Sequence, residues 1–127
     1  MVPIPIIELY RMANAHGIEL IAWYPDLRCP PGRYVCDEWG QRMIYLNPIY
    51  QRDGVGLRCN LAHGIGYAAT DATGKEQAKR WARNILLPDE WIMNRLEEPM
   101  YKIAAAAGVY ADWVFDRLCD LSSVANL

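Results

Sequence analysis

Cys59, His63 and Tyr67 recur at intervals of four residues, a spacing that stacks side chains along one face of a helix. A helix with two histidines at that interval, and a glutamate directly after the first, holds Zn²⁺ between the imidazoles and uses the carboxylate as base toward metal-bound water. In Leu61-Ala62-His63-Gly64-Ile65-Gly66-Tyr67 the first histidine is kept, Gly64 stands at the base position and Tyr67 at that of the second ligand. A phenol, with an ordinary pKa of about 10, must lose its proton before it binds zinc well. Glycine has no side chain to take a proton, and it costs about 1 kcal/mol relative to alanine inside a helix. The helix itself therefore gains nothing from Gly64.

His63 reads in two ways. As a structural histidine it hydrogen-bonds to backbone or to Tyr67 at the end of a cleft. As a metal ligand it needs companions, because one imidazole does not hold zinc; Cys59 or Tyr67 with Asp71 or Glu76 are the residues within sequence reach. Cys59 also reads as a plain core thiol. Lys75, Lys79 and Arg83 form a basic stripe at the same four-residue spacing. Such a stripe suits an acidic partner or phosphates, but opposite Trp81 and Ile85 it is expected to be the solvated face of an amphipathic helix.

These residues need elements to position them. Ile6, Leu9, Tyr10 and Ala13 follow Pro5 at helical spacing, with Gly17 as the stop. Ile18 to Tyr24 reads as a strand, and a loop with Cys29-Pro30-Pro31-Gly32 follows. Arg33 to Cys36 and Met43 to Leu46 read as two strands of a hairpin around Trp39-Gly40. From Leu57 the pattern turns helical: one segment to about Ala69, a loop over Thr70 to Gly74, and a second helix from Lys75 to Leu87 stopped by Pro88. Shorter helices with a break at Gly108 fill the rest. This is an α+β layout with a helical C-terminal half.

At 127 residues the chain suits one domain. A net charge of −2 gives no general attraction to nucleic acid or anionic membrane. The tail around Ile103–Leu118 has the outline of a helix-turn-helix, but Asp112, Asp116 and Asp120 beside Arg117 would repel a phosphate backbone, so DNA binding is not expected. Cys29, Cys36, Cys59 and Cys119 include no C-x-x-C pair; reduced, buried thiols of a cytoplasmic protein are expected. The first residues lack the basic start of a signal peptide, and no window has the roughly 18 apolar residues of a membrane span. The five tryptophans fall mostly at apolar-periodic positions and are expected in the core.

In this order the segments resemble the ImmA/IrrE family of metallopeptidase-like proteins of prophages and mobile elements. Gly17-Ile18-Glu19-Leu20 is similar to the family's helix-to-strand entry, and Gly32-Arg33-Tyr34-Val35 with Met43-Ile44-Tyr45-Leu46-Asn47 to its hairpin. Leu61-Ala62-His63 with Ile65-Gly66 matches its metal helix except at the reacting positions. Ala78-Lys79-Arg80-Trp81-Ala82-Arg83-Asn84-Ile85-Leu86-Leu87-Pro88 is similar to its A-x-x-F/W-A-x-x-L-L/I-x-P segment, and the tail to its closing helix pair. The resemblance implies a zincin-like domain over 1–127: an N-terminal helix, a small antiparallel sheet, a metal-helix equivalent and a helical C-terminal half. It also puts the third ligand, a glutamate in the family, at Lys75, with Glu76 beside it but turned about 100° around the helix. The expectation is a pseudo-enzyme without a cofactor, whose cleft, around His63, Tyr67, Lys75 and Glu76, binds a helix-turn-helix repressor or other phage-regulatory protein. The alternative is an active zinc endopeptidase that cleaves a repressor through a rearranged ligand set, with His63 and Glu76 among its ligands.

Overall fold

The structure is a computed structural model, and it describes residues 2–22, 32–48, 54–71 and 74–125. Helix α1 (Ile6–Ala15) starts directly after Pro5 and turns Leu9 and Ala13 inward. Strand β1 (Ile18–Ala22) follows at once. Strands β2 (Gly32–Cys36) and β3 (Arg42–Leu46) form the expected hairpin. Its tip is held by Asp37, whose Oδ1 accepts hydrogen bonds from the backbone N–H groups of Trp39 and Gln41 at 3.0 and 2.8 Å. The rest of the strand expected to reach Tyr24, and the loop with Cys29, lie outside the described residues.

The sheet departs from the expected antiparallel one. Its strand order is β1-β3-β2, with β3 antiparallel to β2 and parallel to β1. The reason is directional: β2 runs opposite to β1 and β3 opposite to β2, so β3, inserted between them, must run with β1. The register places Leu20, Ile44 and Tyr34 side by side across the three strands.

Helix α2 (Val55–Thr70) lies against this sheet, and α3 (Lys75–Leu86) packs along α2. The short α4 (Asp89–Met93) begins after Pro88, and α5 (Met100–Ala107) and α6 (Ala111–Ala125) form a closing pair. Leu61, Ile65, Leu86, Ile92, Ile103 and Val114 are fully buried where sheet and helices meet. The fold is mixed α+β, as the periodicity requires. Among the described residues, no helix is long and apolar enough to cross a membrane.

Three expectations about side chains are corrected. Cys36 and Cys119 are exposed, and of the described cysteines Cys59 is the buried one. Trp39 is 84% exposed at the hairpin tip, because the Asp37 turn points it away from the sheet, whereas Trp113 is buried. The basic stripe of α3 is a solvated face only at Lys75: Arg83 is 2% exposed, bonded to Asp120 of α6 and Glu76, and Lys79 lies over the Trp113 ring. The neighbouring helix α6 supplies Asp120 and Trp113, which turn the Lys79 and Arg83 part of the stripe inward.

Arg117 is likewise buried. Its Nε donates to the Leu87 carbonyl at 2.9 Å and its guanidinium pairs with Asp89, tying α6 to the end of α3 and the start of α4. Arg58 is a buried cation of another kind: among the described residues its Nε and one terminal nitrogen have no hydrogen-bond partner, and burial pulls its pKa below the usual range. It packs against Gly108, where a Cβ would come within 2.9 Å of Nε.

Candidate functional site

Tyr34 of β2, Tyr67 and His63 of α2 form one aromatic column. The Tyr34 and Tyr67 ring centres are 5.4 Å apart with planes 5° from parallel, and those of His63 and Tyr67 are 5.3 Å apart at 24°. The four-residue spacing on α2 brings His63 and Tyr67 together, and the packing of β2 against α2 brings Tyr34 to them. Beside the column lies a cleft of about 200 Å³, lined by Gly32, Arg33, Tyr34, Asn60, His63, Gly64, Tyr67 and Lys75. A more open hollow of about 370 Å³ near Tyr10, Leu20, Leu46 and Leu57 is lined mainly by apolar groups. The chemistry-bearing residues are in the first.

His63 Nε2 lies 3.3 Å from the Lys75 carbonyl oxygen. A carbonyl only accepts, so Nε2 carries the proton, and Nδ1 is the lone-pair nitrogen of the neutral ring. Burial pushes the imidazole pKa below its ordinary 6.5; the charges of Lys79 and Lys75 lower it further, against the Lys75 carbonyl bond and Glu76. His63 is therefore neutral at pH 7. Its neutral form contributes stability that is complete above pH 6.5 and is lost as pH falls through the depressed folded value. We expect the His63 ring protons to titrate below pH 6.5 by NMR. Urea unfolding should show a loss of stability on acidification that is reduced in His63→Gln.

Glycines shape the cleft floor. A Cβ on Gly64 would stand 2.6 Å from Ile44 Cδ1 and 2.9 Å from its Cγ1, so Ile44 of β3 fills the space that any side chain at position 64 would need. A Cβ on Gly66 would overlap the carbonyl oxygen of Ala78 and stand 3.0 Å from its carbon. Here the close neighbour is α3 backbone, which explains the small residue two positions beyond Gly64.

The other sequence candidates are dispersed. Glu76 is 70% exposed and bonds Arg83 at 3.0 Å, away from the column. Cys59 is fully buried, and burial pushes its thiol up to about 12, against a backbone hydrogen bond from Tyr110 and the charge of Arg58. Asp71 closes α2 in the left-handed region at φ 54° and acts electrostatically on Tyr34. Burial raises the Tyr34 pKa, with Cys36 and Asp71 adding to the shift and Arg42 opposing it.

Among the described residues, no three His, Cys, Asp or Glu side chains converge as metal ligands would. The residues at the positions implied for zinc do not fit it either. Position 67 is a phenol and position 75 a cation, which leaves His63 as the one usual zinc ligand of the three.

Sequence reasoning had not placed Arg33, Tyr34 and Asn60 at the site. Asn60 had a signal, because it precedes His63 by three residues and Gly64 by four and so shares their helix face. Tyr34 had none, since its meeting with Tyr67 depends on how the sheet packs under α2. Compared with models of known protein families, with characterised proteins and with solved structures, the chain matches none of them.

Proposed function

We propose that this chain is a catalytically inactive, zincin-like relative of the ImmA/IrrE metallopeptidases that uses the former substrate cleft to bind a protein. One observation carries the reading. His63, Gly64, Tyr67 and Lys75, the positions that the resemblance assigns to metal and base chemistry, line a single cleft. Together they offer one imidazole, a phenol, a cation and no carboxylate. A peptidase of this type needs three ligands with an open fourth position, and a base beside the metal-bound water. Neither is supplied here, while the cleft itself is kept. By the same resemblance, the partner is a helix-turn-helix repressor or another regulator of a phage or mobile element.

Elemental analysis of protein purified without chelator or a histidine tag tests this directly. We expect substoichiometric zinc, unchanged in His63→Ala, and no cleavage of a co-incubated helix-turn-helix repressor. One zinc per chain that disappears in His63→Ala would replace this reading with that of a working metallopeptidase with unusual ligands.

A further inference from the structure

We propose that the elbow between α4 and α5 is a docking surface for a basic amphipathic helix of a partner protein. None of its residues lines the cleft, so the inference goes beyond the reading above and stands or falls separately from it.

The first observation is apolar surface on a held backbone. Met93, Leu96, Met100 and Tyr101 are between 43% and 67% exposed, four of the nine large hydrophobic side chains that face solvent among the described residues, and they fall within one short stretch. That stretch is well tied down. Ile92 and Ile103 are buried on either side of it, and Pro99 starts α5. Its turn is closed by the Arg95 N–H on the Ile92 carbonyl at 2.9 Å and the Glu98 N–H on the Arg95 carbonyl at 3.0 Å. A single exposed apolar residue is ordinary, but four long ones on one elbow mark an interaction surface. Met93 and Met100 have unbranched side chains that re-pack around a partner's apolar face.

The second observation is charge, and it selects the occupant. Glu97 and Glu98 lie between Leu96 and Met100 in the chain, and Glu90 lies one turn before Met93. All three are exposed, and among the described residues none of them forms an ion pair. The neighbouring cations offset them only in part. Lys102 is exposed one turn beyond Glu98, but Arg95 is held 4.1 Å from the Trp91 ring centre, with its Nη1 donating to the Trp91 carbonyl. Apolar surface rimmed by unpaired carboxylates complements a helix with leucine-like residues on one side and lysine or arginine beside them. A second copy of this chain would bring the same acids against these, and an anionic bilayer or a phosphate backbone would be repelled in the same way.

The test follows the methionine methyl signals of the isotopically labelled full chain by NMR. Met93 and Met100 report the elbow, while Met12 on α1 and Met43 on β3 report the rest of the fold. The probes are three peptides of about 14 residues, roughly four turns of helix. One has leucine and lysine in amphipathic order, one has glutamate in place of lysine, and one has serine in place of leucine. We expect the leucine–lysine peptide to shift Met93 and Met100 saturably while Met12 and Met43 stay in place. Each of the other two lacks one of the required features and should bind about tenfold more weakly. Glu97→Lys/Glu98→Lys and Leu96→Ser/Met100→Ser, all at exposed positions, should each weaken the leucine–lysine peptide about tenfold, with the Met12 and Met43 signals showing that the chain stays folded. No binding, equal binding of either control peptide, or full affinity in either variant would overturn the docking surface and leave the cleft reading untouched. Shifts that reach Met12 and Met43 equally would mark general adhesion of the peptide and overturn it too.

Discussion

Gly66→Ala is expected to destabilise the fold by about 3 kcal/mol or more, the upper end of what overpacking costs. Two effects oppose each other at this position. Alanine is the better helix former by about 1 kcal/mol, and on a solvated face that would decide the sign. Here the added methyl would overlap the Ala78 carbonyl, a backbone group that moves only if α3 moves. Steric overlap with backbone wins, because α3 is fixed on its far side by Arg83 and Asp120. Gly64→Ala is the matched comparison. Its methyl meets Cδ1 and Cγ1 of the buried Ile44, side-chain atoms that shift more readily than backbone, so its cost should be smaller, about 2 kcal/mol. Urea unfolding midpoints of the two variants measure the difference. A smaller loss for Gly66→Ala than for Gly64→Ala would mean that α2 and α3 are not in the close contact described. Since a domain of this size has only about 5–15 kcal/mol in total, the Gly66 variant should also be visibly depleted in cells.

The contrast between these glycines shows what the sequence made legible. Helical periodicity placed α2 and α3 within about two residues of their observed ends, and four-residue spacing put His63 and Tyr67 on a shared face. Both are local properties of a helix. Gly66 was legible only as a match to the resembled metal helix, and its contact with Ala78 was not. What could not be read was the identity of any partner distant in sequence. Ile44 under Gly64 and Tyr34 against Tyr67 depend on the sheet beneath the helix. The parallel pairing of β1 with β3 depends on the order in which strands join, to which two-residue alternation is blind. The basic stripe of α3 was misread for the same reason. Spacing says that Lys79 and Arg83 share a face, but only α6 decides whether that face sees water.

Asp120→Ala is the second large effect, expected at about 3 kcal/mol. Arg83 donates to Asp120 Oδ2 through Nε at 3.1 Å and through Nη2 at 3.0 Å, and to Glu76 at 3.0 Å. Burial alone would push the guanidinium toward neutrality, yet the bonds and charges of Glu76 and Asp120 outweigh it and raise its pKa. Removing Asp120 leaves a nearly inaccessible cation with one acid that is 70% exposed and screened by solvent. Arg80, 3.6 Å from the other Asp120 oxygen, is exposed and loses little. Arg83→Met should behave differently: it removes the charge and its desolvation together while keeping an apolar stem of similar length, so its effect should lie within about 1 kcal/mol of zero. The double variant Arg83→Met/Asp120→Ala should then recover most of the Asp120→Ala loss, a coupling of about 2 kcal/mol in a double-mutant cycle. Additive losses would show that the pair is a surface contact and that apolar packing alone holds α3 on α6. The coupling also reaches the cleft, because α3 carries both Lys75 and the carbonyl to which His63 donates. Loosening α3 in Asp120→Ala should therefore shift the His63 ring signals, although position 120 lies outside the cleft lining.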